Sequence, residues 1–146
     1  MSKIYTFFRL SRQEQRLLCS SGLLVIAIRL GLWVLPFRYL QHLLDIFGQR
    51  SVRWASQVDI ARIPWAVGVT SHHVPMATCL TQALSVQTLF RQRGIPCELR
   101  IGVAKDHRNQ LTAHAWIEYE GQVIIGGSQA SVARYVALPS LEHNQR

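Results

Sequence analysis

Residues 79–120 read CLTQALSVQTLFRQRGIPCELRIGVAKDHRNQLTAHAWIEYE, and this stretch decides the fold. It begins with a helical pattern of apolar residues, and Gly94 and Pro96 end that helix. Apolar and polar residues then alternate over 97–104 and again over 111–120, which predicts two strands. A helix followed by antiparallel strands, after an α-helical N-terminal half, indicates an α+β fold.

The sheet is predicted to continue beyond this stretch. Glu120-Gly121 indicates a tight hairpin turn, and residues 122–125 form the third strand of a three-stranded antiparallel sheet. Counting outward from the turn pairs Ile117 with Ile124 and sets His114 opposite Gly127. This register predicts that Gly126→Asp is tolerated better than a random glycine replacement. Residues 132–138 are ambiguous between helix and strand.

Three helices are predicted upstream, over residues 11–35, 37–47 and 52–69. Ser11 followed by Glu14 forms a capping-box pattern at the start of the first helix. Gly48 ends the second helix, and Pro64 is expected to break the third. The N-terminal half is therefore helical.

The first of these helices contains an apolar segment, residues 17–35, that is about the length of a bilayer span. Arg29 lies near its middle, and a charged side chain is costly in lipid. The N-terminus does not resemble a secretory signal. We therefore expect this helix to pack on its own domain or on a partner, with a helix on a membrane surface as the alternative.

The chain is strongly basic. Among 146 residues it has 16 Lys+Arg and 8 Asp+Glu, a formal net charge of +8. Such a charge attracts acidic peptides, acidic proteins or nucleic acids. The arginines are scattered and form no basic run interleaved with aromatic residues, so no motif supports nucleic-acid binding.

The cysteines indicate neither a disulfide framework nor a zinc site. They are three in number and occur singly, at Cys19, Cys79 and Cys97. We expect Cys19 and Cys97 to lie in the core and the protein to be cytoplasmic, where thiols stay reduced. His72 and His73 with Cys79 lack further ligands for a metal.

Cys79 and His114 are the candidate catalytic residues. Thr78 can cap the helix, which places Cys79 in its first turn, where unpaired N–H groups and the helix dipole stabilise a thiolate. A histidine on a later strand can act as its general base. The alternatives are a buried structural cysteine and a core histidine.

Four blocks of sequence, at 74–80, 93–96, 101–103 and 113–118, resemble the transglutaminase-like cysteine peptidases of lasso-peptide biosynthesis (the B2 proteins, a split form without a leader-recognition domain). The resemblance implies a transglutaminase/papain-like core, in which a Cys-bearing helix packs on a small antiparallel sheet. By position, Cys79 matches the nucleophile of the family and His114 matches its base. The resemblance implies no cofactor and no metal.

The resemblance also implies partners. A peptidase of this kind removes the leader from a lasso-peptide precursor. A separate leader-recognition protein (B1 type) delivers the precursor, and an asparagine-synthetase-like lasso cyclase then closes the ring.

The chain departs from the family pattern in one respect. Members with a full triad have an acidic residue about a dozen positions after the histidine, whereas residues 124–128 contain none. Glu118 is too far along the strand, so Ser128, Gln129 or a backbone carbonyl is left to orient the imidazole.

The predicted organisation has three parts. These are an N-terminal helical region packed on the core (1–70), a transglutaminase-like catalytic core (71–138) and a tail (139–146).

Two other functions stay open. One is acyl transfer to an amine through the same thioester, and the other is a catalytically inactive, transglutaminase-like binding or scaffold module.

Overall fold

The structure is a computed structural model, and it describes residues 2–49, 60–75 and 78–139. The first part of the predicted third helix and almost all of the predicted tail lie outside these ranges. The described elements are six helices and four strands. The helices are α1 (Ser2–Arg9), α2 (Arg12–Val34), α3 (Phe37–Gly48), α4 (Arg62–Ser71), α5 (Cys79–Gln92) and α6 (Gln129–Val132). The strands are β1 (Glu98–Lys105), β2 (Leu111–Tyr119), β3 (Gln122–Ile125) and β4 (Val136–Ala137).

The N-terminal helices begin and end where local signals place them. The capping box at the start of α2 is confirmed, because the Ser11 side chain accepts from the Glu14 N–H and the Glu14 carboxylate accepts from the Ser11 N–H. The Ser11 backbone N–H, with Arg62 nearby, lowers the pKa of Glu14 below its usual value. Pro64 lies in the first turn of α4, where a proline leaves no intrahelical hydrogen bond unmade. Residues 52–59 of the predicted third helix lie outside the described ranges, so its break near Pro64 stays a prediction.

The central helix, α5, is buried on nearly every side. It packs against α2, α3, α4 and the sheet. Two of its buried hydroxyl groups are satisfied within the helix, since Ser85 Oγ donates to the Thr81 carbonyl at 2.7 Å and Thr88 Oγ1 donates to the Leu84 carbonyl at 2.8 Å. Hydrogen bonds of this kind let a helix carry hydroxyl groups through an apolar core.

The sheet has four strands, in the order β3-β2-β1-β4, where three were predicted. β1 and β2 form a long antiparallel ladder in which Gly102 pairs with His114. The predicted hairpin is confirmed at its turn, where Tyr119 pairs with Gln122. Beyond the turn the predicted register is wrong by one residue, because a β-bulge next to Ile117 pairs it with Ile125.

The two faces of the sheet have different surroundings. Ala115, Ile117 and Tyr119 point towards α5, and the Tyr119 ring meets Phe90 edge-on at 5.9 Å between centroids. Because side chains alternate along a strand, His114 and Trp116 point to the opposite face. The predicted alternation of β2 is therefore confirmed, and α5 covers only the apolar side. This arrangement confirms the α+β class.

Helices and sheet share one hydrophobic core, which extends from Leu17 in α2 to Ile125 in β3. Cys97 is half-buried and packs against this core. The prediction that Cys19 is a core residue is wrong, since Cys19 is exposed on the outer side of α2. When just one side of an apolar helix packs against the domain, the residues on its other side stay in solvent, even where they are apolar.

Phe90 provides a test of the core. It is fully buried between α5 and β2, so Phe90→Ala should lower the free energy of unfolding by about 3–5 kcal/mol through lost burial and a cavity. The measurement is urea denaturation followed by circular dichroism. Phe8→Ala is the matched control: Phe8 is 73% exposed, and its replacement should change the stability by at most about 0.5 kcal/mol. Equal losses in the two variants would contradict the packing described.

Candidate active site

Cys79 is the first residue of α5. The helix is capped by Thr78, whose extended backbone turns the chain into the helix and whose side chain accepts from the Thr81 N–H. The cysteine is half-buried and packs against the core. The first N–H groups of an α-helix have no partner within the helix, so this position offers a thiolate both hydrogen bonds and the positive end of the dipole. The predicted cap and the place of Cys79 are confirmed.

His114 lies in the middle of β2, and its ring is anchored by the main chain. Nε2 forms a hydrogen bond with the carbonyl oxygen of Gly126. A carbonyl oxygen can only accept, so Nε2 carries the hydrogen. In the neutral imidazole this leaves the lone pair on Nδ1, which makes Nδ1 the basic atom of the ring.

Two aromatic side chains flank the imidazole. The ring of Tyr135 is nearly parallel to it at 5.2 Å between centroids, and the ring of Trp116 stacks at 6.2 Å. The cluster needs a glycine at position 102, since a Cβ there would lie 2.8 Å from both Trp116 and Tyr135. The sequence analysis missed Tyr135. A signal was present, because a glycine inside a strand indicates that another group approaches closely.

The side chains considered as partners of the imidazole are engaged elsewhere. Glu118 accepts from Trp116 Nε1 at 2.9 Å and pairs with Arg100. Ser128 caps the short α6 by accepting from the Ser131 N–H. Gln129 accepts from the Val123 N–H at 3.1 Å. Of the three alternatives open at the start, the structure therefore favours the backbone carbonyl.

The contacts of Cys79 and His114 lie on different sides of the sheet. Cys79 belongs to α5, which covers the face formed by Ala115 and Ile117, whereas His114 points to the face that carries Trp116. Within residues 2–49, 60–75 and 78–139, no hydrogen bond joins the thiol to the imidazole. The two residues are held separately, each by its own element.

The remaining histidines near the site lie in loops. His72 and His73 follow α4 and are exposed, and His107 lies in the turn between β1 and β2. The described part of the chain contains no group of three His, Cys, Asp or Glu residues that could hold a metal ion.

Comparison with known protein families gives one finding that bears on this site. The model of the transglutaminase-like superfamily matches residues 22–140, which include both Cys79 and His114. No curated protein and no solved structure gives a significant match.

The role of Gly126 is open to a direct test. A Cβ at this position would lie 2.6 Å from the Ala115 carbonyl oxygen and 2.8 Å from Trp116 Cα, and the residue has a φ of +96°. Gly126→Asp should therefore lower the free energy of unfolding by roughly 2–4 kcal/mol, against the tolerance expected from the sequence. Chemical denaturation measures the change.

Gly121→Ala is the control for backbone strain alone, since Gly121 also has a positive φ but nothing lies within 4 Å of its Cβ position. It should lose only about 1 kcal/mol. If Gly126→Asp were no more costly than this control, the close approach of the two chain segments would be disproved.

Proposed function

The chain belongs to the transglutaminase-like superfamily, and from this premise we propose that it is a cysteine peptidase that removes the leader from a lasso-peptide precursor. The observation that carries the proposal is the capped start of α5, which presents Cys79 inside the region that the family model matches. Cys79 is the proposed nucleophile and His114 the proposed general base.

The start of α5 suits a nucleophilic thiolate. The dipole of a well-formed helix favours negative charge at its N-terminus, and the Thr78 cap holds the first turn in place. Cys79 is only partly buried. Its place at the helix start is expected to make it more reactive than a cysteine within a helix, such as Cys19.

The carbonyl of Gly126 takes the place of the acidic residue that is missing. It lies a dozen positions after His114, where the resemblance implies a carboxylate, and it accepts from Nε2 of the imidazole, which leaves Nδ1 as the basic nitrogen. A carbonyl fixes the tautomer and the plane of the ring, and Tyr135 and Trp116 restrict its tilt. A neutral acceptor stabilises the imidazolium less than a carboxylate does, so we expect a modest base.

The layout of α5 and β2 supports an encounter between Cys79 and His114. Phe90 contacts Tyr119. Only residues 93–97 separate α5 from β1, which runs antiparallel to β2, so α5 and β2 run in the same direction and the helix start lies over the earlier part of the strand. From this contact, Cys79 is about 16 Å back along the helix and His114 is about 16 Å back along the strand, which puts them at one level.

The encounter involves the Nδ1 side of the imidazole. Nε2 bonds to the Gly126 carbonyl, so Nδ1 lies on the side of the ring that faces away from Gly126. We propose that the Cys79 thiol and Nδ1 come together when substrate binds, since catalytic hydrogen bonds often tighten only in the complex.

The proposed reaction is hydrolysis through an acyl-enzyme. The Cys79 thiol transfers its proton to Nδ1 of His114, and the sulfur bonds to the carbonyl carbon at the leader–core junction. N–H groups at the start of α5 stabilise the oxyanion. The C–N bond then breaks as the imidazolium gives its proton to the amine, and water hydrolyses the thioester with His114 again as base.

The proposed substrate and partners follow from the resemblance of four sequence blocks to the lasso-peptide peptidases. A separate leader-recognition protein would deliver the precursor, and a lasso cyclase would act on the product. The net charge of +8 favours an acidic leader or partner. No cofactor is part of the proposal.

A catalytically inactive binding module is the second candidate, and one observation favours it. In the described residues the thiol and the imidazole are on different faces of the sheet and share no hydrogen bond. Acyl transfer to an amine differs from hydrolysis only in the final acceptor, so the mass of the product distinguishes those two reactions.

The proposal predicts that Cys79→Ala abolishes cleavage of the precursor. The assay combines the full chain, a lasso precursor and its recognition protein, and mass spectrometry identifies the products. Cys19→Ala and Cys97→Ala are the matched controls and should keep the activity of the unmodified protein, because neither cysteine lies at a helix start. Cleavage by Cys79→Ala at the original rate would disprove the assignment.

The role of His114 is tested in the same cleavage assay. His114→Ala should lose most of the cleavage activity, because no side chain then takes the proton of the Cys79 thiol. His107→Ala, in an exposed turn, is the control and should keep the original rate. Equal rates for His114→Ala and the unmodified protein would disprove the assignment of His114 as base, and absence of cleavage by the unmodified protein would favour the inactive module.

A further inference from the structure

The outer side of α2 is an uninterrupted apolar stripe. One side of this helix, including Leu17, Val25 and Ile28, is fully buried in the core. The other side is exposed, and every large exposed side chain that follows Cys19 in α2 is apolar. They are Leu23, Ile26, Leu30, Trp33 and Val34, with Leu23 70% and Trp33 79% exposed. Their spacing of three, four and seven residues places them in one line along the helix.

α3 carries a second set of exposed apolar side chains. It follows α2 directly along the chain and packs against it where Gly31 faces the buried Leu40. The exposed large apolar side chains of α3 are Tyr39, Leu43, Ile46 and Phe47. We call these four residues and the five of α2 the outer helical face. Soluble monomers rarely expose so many large apolar residues together.

The charges that border the outer helical face are positive. Arg12 and Arg16 are exposed on the same side of α2, and Arg38 is exposed at the start of α3. The carboxylates of α2 and α3 are paired with arginines of other helices, Glu14 with Arg62 and Asp45 with Arg91. Among the described residues of α2 and α3 the surface is thus bordered by cations and carries no exposed carboxylate, which makes it complementary to an anionic lipid headgroup layer.

A transmembrane arrangement of α2 and a second copy of the chain account for the outer helical face less well. α2 is long and apolar enough to cross a bilayer, but crossing would remove Leu17, Val25 and Ile28 from the core. A second copy of the chain would bring the arginines beside one face towards those of the other and would pair no charge.

We propose that the outer helical face docks on the surface of an anionic membrane, with α2 and α3 lying in the interface. Trp33 and Tyr39 sit at headgroup depth, where amphipathic aromatic rings are favoured. The aliphatic residues enter the acyl boundary, and Arg12, Arg16 and Arg38 bind lipid phosphates. This proposal does not rest on the proposed peptidase activity.

The test uses the full chain and sedimentation with lipid vesicles. Phosphatidylcholine vesicles that contain phosphatidylglycerol should bind the protein, and pure phosphatidylcholine vesicles should bind it more weakly. Leu30→Ser combined with Trp33→Ser should lower the partition coefficient roughly tenfold or more, because less apolar surface is buried. Arg12→Gln combined with Arg16→Gln should lower it roughly tenfold on anionic vesicles only.

The control is Leu111→Ser. Leu111 is 73% exposed at the start of β2, away from the outer helical face, and its replacement should leave vesicle binding unchanged. Circular dichroism verifies that every variant is folded. Absence of binding to anionic vesicles, or equal loss in Leu111→Ser, overturns the proposal. So does a dimer in analytical ultracentrifugation that Leu30→Ser and Trp33→Ser dissociate, since a second copy would then cover the face.

Discussion

The burial of α5 is the constraint on which the rest of the structure depends. Residues from Thr81 to Phe90 are almost all inaccessible, so other elements have to cover the helix on every side. α2, α3 and α4 cover it on one side, and the apolar face of the sheet covers it on the other. The hydroxyl groups of Ser85 and Thr88 bond to carbonyls of the same helix, which removes the need for polar partners in the surrounding layers.

The burial of α5 also fixes the position of Cys79 in the candidate active site. A helix held on all sides cannot shift along its axis, so its first residue, Cys79, has a fixed position relative to β2. His114 is held differently, by a main-chain carbonyl and two flanking rings. Cys79 is thus supported by packing and His114 by local contacts.

The two sides of α2 have different environments. The inner side of α2 completes the core around α5, whereas its outer side adds nothing to the packing of the domain. A fold that needed α2 only as a cover would be more soluble with polar residues at Leu23, Leu30 and Trp33. Retaining large apolar residues there has an energetic cost in water, which contact with a membrane would remove.

The sequence alone determined the features that depend on neighbours along the chain. Helix caps at Ser11 and Thr78, the end of α5 at Gly94, the alternation of β2 and the turn at Glu120-Gly121 all arise from backbone preferences and side-chain periodicity over a few residues. For the same reason Cys79 and His114 could be chosen as candidates, and the roles proposed for them come from the resemblance to a peptidase family.

Only the tertiary structure decided which surfaces meet. The bulge beside Ile117 moved the register by one residue, and the carbonyl of Gly126 then came to face His114. Tyr135 reached the imidazole because β4 pairs with β1, a contact between segments far apart in sequence. Cys19 proved exposed because hydropathy shows that a helix is apolar, whereas the elements packed against it determine which side is buried.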